Sequence, residues 1–147
     1  MSPQTVHLSN DCLNVWDGAM TRNPVEIVSQ FVDEFVAGWP NRDTARLARF
    51  FAKDAVYHNI PLDPVQGRTA MLETISGFMD MGGAVAVEMV HLLCDGSIVM
   101  TERVDHFITA EARIALPVAG IFEVHDGVIT AWRDYFDMDQ FTSQTKQ

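Results

Sequence analysis

Between residues 84 and 137 the chain keeps returning to one pattern, alternating apolar and polar residues interrupted by Asp95-Gly96 and again by Asp126-Gly127. Asp-Gly between alternating runs favours a tight hairpin, because both central turn positions need backbone angles that Asp tolerates and Gly adopts freely. Two such turns and a loop near Ala110 predict an antiparallel meander over about 84–94, 97–108, 113–125 and 128–137. Upstream the period changes. Asn23 reads as an N-cap, Pro24 as the first helical residue and Glu26 as the third, and Val25, Val28, Phe31, Val32, Phe35, Val36 and Trp39 follow at helical spacing. Gly38 and Pro40 stop that helix, and a shorter one is expected from Asp43 through Leu47, Phe50 and Phe51. A short strand at "AVYHNI" is broken by "PLDPVQG", and a third helix from about Thr69 to Met81 ends at Gly82-Gly83. Helices first and a long sheet afterwards predict an α+β fold: a curved, mixed, largely antiparallel sheet with the N-terminal helices packed on one face.

At 147 residues and 48% hydrophobic content, the chain can bury one core and a pocket besides. Residues 1–22 are polar and aperiodic and read as an extension; residues 23–147 form a single domain. The formal net charge of -10 argues against nucleic acid and anionic membrane surfaces as partners, and for a small neutral ligand. Cys12 and Cys94 form no CxxC, so neither a disulfide framework nor a zinc site is suggested, and a reduced, cytoplasmic location is expected. No basic, apolar leader and no run of eighteen apolar residues appears, which predicts a soluble, unexported protein. The five histidines show no HxH or HExxH spacing, so no metal is expected; His58 and His106 are expected to point away from the acids described next.

The strand "TERVDHF" lines up Thr101, Arg103, Asp105 and Phe107 on one face, because alternate side chains of a strand point the same way. The last strand, "VITAWRDYFD", repeats the oddity with Thr130, Trp132, Asp134 and Phe136. A carboxylate in such an aromatic, half-buried setting must find partners or take up a proton. Arg103 can donate to both acids, while their mutual repulsion disfavours ionising both, so one proton is shared. Tyr57 and Asn59, projecting together from the earlier strand, can hold a water against whichever acid stays charged. Two carboxyl groups in opposite protonation states supply a base and an acid together, which suits opening a strained cyclic ether with water and needs neither metal nor cofactor. Taken singly, these residues have plainer readings: Arg103 with Asp105 as a surface ion pair, Tyr57 as a core tyrosine, Asn59 as a strand end.

"YHNIPL", "TERVD" and "AWRDYFD", in this order and spacing, resemble the limonene-1,2-epoxide hydrolase family over roughly residues 23–141. The resemblance implies a cone-like fold of the nuclear-transport-factor-2 (NTF2) or SnoaL type, a homodimer, and one-step hydrolysis of small hydrophobic epoxides, limonene-1,2-epoxide or other terpenoid epoxides, to vicinal diols without a covalent intermediate. It further implies that Asp134 deprotonates the water, Tyr57 and Asn59 orient it, Asp105 protonates the epoxide oxygen and Arg103 bridges the acids. Trp132, Phe78, Phe107, Leu116, Val118 and Phe136 become the pocket wall. Two other readings stay open: a proton-shuttling isomerase or cyclase on the same fold, and a noncatalytic domain that holds a hydrophobic ligand. Register poses one difficulty. A two-residue turn at Asp126-Gly127 sets Asp134 opposite Ala119, which turns Leu116, Val118 and Gly120 away from it, so a bulge around Pro117 to Gly120 is expected to swap the face.

Overall fold

The computed structural model describes residues 22–145, so nearly all of the expected N-terminal extension, with Cys12, lies outside the described residues. Helix α1 (Pro24–Gly38) starts as expected: Asn23 Oδ1 accepts from Val25 N at 2.8 Å and Pro24 opens the first turn. Its Val25, Ile27, Val28 and Phe31 are buried, while Val32, Phe35 and Val36 pack against the same core from its margin. Phe31 sits at the centre, with ring contacts to Phe35, Phe50, Phe51, Phe122 and Trp132. The expected second helix is a 3₁₀ helix over Ala45–Phe50, preceded by a separate 3₁₀ turn at Trp39–Asn41, and Phe51 already belongs to β1 (Phe51–Asn59). Phe50 and Phe51 are both buried, and a change from 3₁₀ turn to strand between them lets neighbours in sequence enter one core.

A two-residue strand, β2 (Val65–Gln66), lies inside the proline-rich break and pairs with β1 as a sheet edge, where proline is tolerated. Helix α2 (Arg68–Met79) follows, with Met71, Ile75 and Met79 buried. Then come β3 (Ala84–Asp95), β4 (Ile98–Ile108), β5 (Arg113–His125) and β6 (Val128–Tyr135), within two residues of the predicted meander. The six strands form one open sheet in the order β2-β1-β6-β5-β4-β3, and only β1 with β6 is parallel. Gly83 takes φ 71° where β3 begins, and a Cβ there would lie 1.9 Å from the Ile108 carbonyl oxygen, so the residue has to be glycine. A last helix, α3 (Met138–Thr145), was not expected. Cys94, at the end of β3, is buried and is not a free thiol, contrary to the reduced cysteines expected from the sequence. No described helix is long and apolar enough to cross a membrane.

The register corrects the expected bulge. Pairing of β4 with β5 is unbroken from Ile98↔Glu123 to Ile108↔Arg113, through Pro117 and Gly120. The extra residue is on β6: Glu123 pairs with Ala131 but Val124 with Ile129, which leaves Thr130 unmatched, its Oγ1 donating to Glu123 O at 3.2 Å. Asp134 therefore lies opposite Gly120, not Ala119, and Leu116, Val118, Gly120 and Phe122 share its face without any twist of β5. Because of the same insertion Ile129 and Trp132, of opposite parity, both face the core. Pro117 does no harm to the ladder. It lies past the last residue of β6 and has the parity of Ala115, whose N–H turns to that open side and donates to Gln144 Oε1 at 2.9 Å.

Candidate active site

Four strands set the polar residues in one straight row. Thr101 of β4 pairs with Gly120 of β5, Gly120 with Asp134 of β6, and Asp134 with Asn59 of β1. A second row runs beneath it, Val99, Phe122, Trp132 and Tyr57, in which Trp132 is stacked between Tyr57 (ring centroids 4.3 Å apart) and Phe122 (5.4 Å). Arg103 and Asp105 stand further along β4, facing Val118 and Leu116. All of the polar groups are buried: Arg103 and Asp134 are 5% exposed, Asn59 7% and Asp105 8%.

The Arg103 guanidinium carries five N–H groups, and all five are used. Nε donates to Asp105 Oδ1 at 2.9 Å and Nη2 to Asp105 Oδ2 at 3.2 Å. Nη2 also donates to Asp134 Oδ2 at 2.7 Å, and Nη1 to Asp134 Oδ1 and to Thr101 Oγ1, each at 3.2 Å. Burial opposes the charge of Arg103, but the two carboxylates outweigh it and hold the guanidinium protonated. Burial pushes the Asp105 carboxyl above the ordinary carboxylate range, against the pull of Arg103, and the charge of Asp134 adds to the rise. Tyr57 is raised by burial and then by Asp134, so it stays a neutral phenol, donating to Asn59 Oδ1 at 3.2 Å. One cation between an easily protonated acid and a second carboxyl group leaves the site close to neutral, which is what a desolvated pocket tolerates.

Tyr57, Asn59, Arg103, Asp105 and Asp134 line a cavity whose remaining wall is almost wholly apolar. Trp132, Phe78, Phe107, Leu116, Val118 and Phe136 line it as the sequence reading expects. Helix α1 adds Phe31, Val32 and Phe35 to the lining, and Leu62, Met138 and Phe141 join them, none of these expected from the sequence. Strand parity puts Thr101 on the same face without assigning it a part, and makes Trp132 wall only, although its Nε1 donates to Asp134 Oδ1 at 2.7 Å. Gly120 was missed too. A glycine inside a strand signals close approach, and a Cβ there would fall 2.4 Å from Arg103 Nη1. His58 bonds Leu62 O, and His106 bonds Glu88, away from the acids. Among the described residues no group of three or more His, Cys, Asp or Glu is placed to hold a metal ion.

Comparison with known proteins places the chain in a family. Residues 26–147 match the family model described as the limonene-1,2-epoxide hydrolase catalytic domain. The epoxide hydrolase EphG of Mycobacterium tuberculosis is 38% identical over 111 residues, 73% of this chain and 71% of that protein. The solved structure of an M. tuberculosis LEH-like epoxide hydrolase superposes with a TM-score of 0.65 at 31% identity, covering 82% of this chain and 91% of the other. An NTF2-like protein from Anabaena variabilis, at 17% identity and a TM-score of 0.70 over 82% of this chain and 96% of its own, shares the fold alone. On the family match and the EphG likeness, the chain belongs to the limonene-1,2-epoxide hydrolase family.

Proposed function

We propose that the protein adds water to small hydrophobic epoxides of the limonene-1,2-epoxide or terpenoid type, giving vicinal diols in one step without cofactor or covalent intermediate. In this reading Tyr57 and Asn59 hold a water against the Asp134 carboxylate, which takes its proton as the water oxygen attacks an epoxide carbon. The carbon–oxygen bond of the ring breaks, and the departing oxygen takes the proton of Asp105. Asp134 gains the proton that Asp105 loses, so one transfer between them, direct or through solvent, restores the starting state. The single observation that carries the proposal is the saturated guanidinium. With all five donors engaged, Arg103 has none left for the epoxide oxygen, and Asp105, raised by burial, is the remaining acid beside it.

General acid and general base assistance are each worth about 10²- to 10⁴-fold, which suffices together for an electrophile already activated by ring strain. The apolar wall supports a hydrophobic substrate without charged groups. A homodimer is part of the proposal, supported by apolar residues exposed on the sheet face opposite the helices, Leu93, Met100 and Tyr135. The test is a single turnover of limonene oxide in ¹⁸O-labelled water. Label in the first diol is expected; an unlabelled first diol would mean that the oxygen came from a protein carboxylate. Asp134→Asn and Asp105→Asn should each abolish diol formation in a folded protein, and substantial turnover by either would reject the assignment.

A further inference from the structure

We infer that Trp132 is a positioning residue that decides which oxygen of Asp134 accepts the proton. This goes beyond the pocket-wall role and rests on the hydrolase reading above. A carboxylate offers about two lone-pair positions on each oxygen. Asp134 Oδ1 has both filled, by Trp132 Nε1 at 2.7 Å and by Arg103 Nη1 at 3.2 Å. It also faces the backbone of β5, since a Cβ on Gly120 would lie 2.9 Å from it. Among the described residues Oδ2 accepts from Arg103 Nη2 alone, at 2.7 Å, and keeps one position open. Oδ2 is therefore the oxygen that can bind the water and take its proton, and Oδ1 is the anchored one.

The indole is well placed for this task. It is 4% exposed, stacked on Tyr57 at an interplanar angle of 23° and on Phe122 at 15°, and edge-on to Phe31. The same ring thus fixes the carboxylate through its N–H and the water-holding phenol through its face. Without the N–H, Oδ1 would be free to turn toward the cavity and compete with Oδ2 for the water, or the carboxylate would rotate about Arg103. A rotated base costs the transition state more than the bound substrate, so the effect belongs in kcat.

Trp132→Phe keeps the stacked ring and deletes the donor. The expected result is a kcat lowered about 10- to 100-fold with KM near the wild-type value, since a hydrogen bond to a charged group is worth roughly one to two decades. A wall residue would change KM and leave kcat in place. A second measurement does not depend on turnover. The chain has three tryptophans, and in a ¹⁵N-indole spectrum one N–H resonance should lie downfield and move upfield in Asp134→Asn. If Trp132→Phe does not fold, the benzothienyl analogue of tryptophan at 132 preserves the shape and removes only the donor. Wild-type kcat in the donor-less protein, or an indole resonance indifferent to Asp134→Asn, would overturn the inference. Absence of epoxide turnover in the wild type would instead overturn the hydrolase reading, and the indole spectrum would still decide whether Trp132 holds Asp134.

Discussion

Gly120→Ala tests the architecture of the site with one methyl group. The backbone angle at 120 is not in the left-handed region, so the substitution acts through space alone. The added Cβ would lie 2.4 Å from Arg103 Nη1, 2.8 Å from Thr101 Oγ1 and 2.9 Å from Asp134 Oδ1, whereas ordinary contact begins at 3.4 Å. The guanidinium must retreat by the difference between 3.4 and 2.4 Å, and its Nη1 bonds to Thr101 and Asp134, already 3.2 Å long, cannot survive that. Losing such charge-assisted bonds and overpacking a closed site should cost roughly 2 to 5 kcal/mol of stability. For a chain of this size that lowers Tm by about 5 to 15 °C. Displacing a catalytic constellation by an ångström costs about 100-fold in rate, so kcat/KM for limonene oxide should fall at least that far. Differential scanning calorimetry and diol production followed by gas chromatography read the two effects. The control is Gly77→Ala on the exposed face of α2, where an added Cβ meets nothing within 4 Å; it should leave the rate alone and stabilise by about 0.5 to 1 kcal/mol. A Gly120→Ala protein with the wild-type Tm and rate would refute the claim that Gly120 exists to admit the Arg103 bridge.

Three further outcomes are expected. Arg103→Lys replaces five donors in a planar fork by three on one nitrogen, and kcat/KM should drop by about 100-fold or more; a normal rate would remove the bridging role. Because burial raises the Asp105 carboxyl, its proton is held more tightly in the folded state. The stability it contributes is complete below the unfolded value of about 3.9 and is lost as pH rises through the folded one. Wild type should therefore lose stability relative to Asp105→Asn as pH climbs through that interval, and the alkaline limb of its kcat profile should lie above the ordinary carboxylate range; a stability difference that grows with pH would contradict the assignment of Asp105 as the acid. Finally, sedimentation should show a dimer that Met100→Lys dissociates, since Met100 is 47% exposed and pairs with Leu93 at 56%; a monomeric wild type would remove the dimer proposal.

Much of the fold could be read from local chemistry. The two Asp-Gly turns and the loop near Ala110 mark all four meander strands to within two residues, because hairpin geometry depends on the turn dipeptide itself. Strand parity likewise put Arg103 beside Asp105 and Tyr57 beside Asn59. Register was another matter. The insertion at Thr130 has no local signature, since threonine suits a strand as well as a bulge, and it shows only when Glu123 and Val124 are seen to pair with residues two apart. Helix α3 was illegible for a similar reason. It buries no residue, and it is held by Phe141 against Phe107 and by Gln144, whose side-chain amide bonds both N and O of Ala115 where β6 has ended. Nothing in "MDQFTSQT" announces a strand edge waiting for an amide.

The saturated guanidinium also separates the proposed hydrolase from the proton-shuttling alternative on the same fold. An isomerase needs a donor aimed at a developing enolate oxygen and one base; a second acid locked to an arginine adds desolvation cost and no chemistry. Here Arg103 spends four of its five bonds on joining two acids and the fifth on Thr101. Gly120 is reduced to a bare backbone to make room for that arrangement. A site so built links the protonation of one carboxyl group to that of the other. Water addition with simultaneous protonation of a leaving oxygen uses both groups in the same step, and therefore has a use for the link that a single-base reaction lacks.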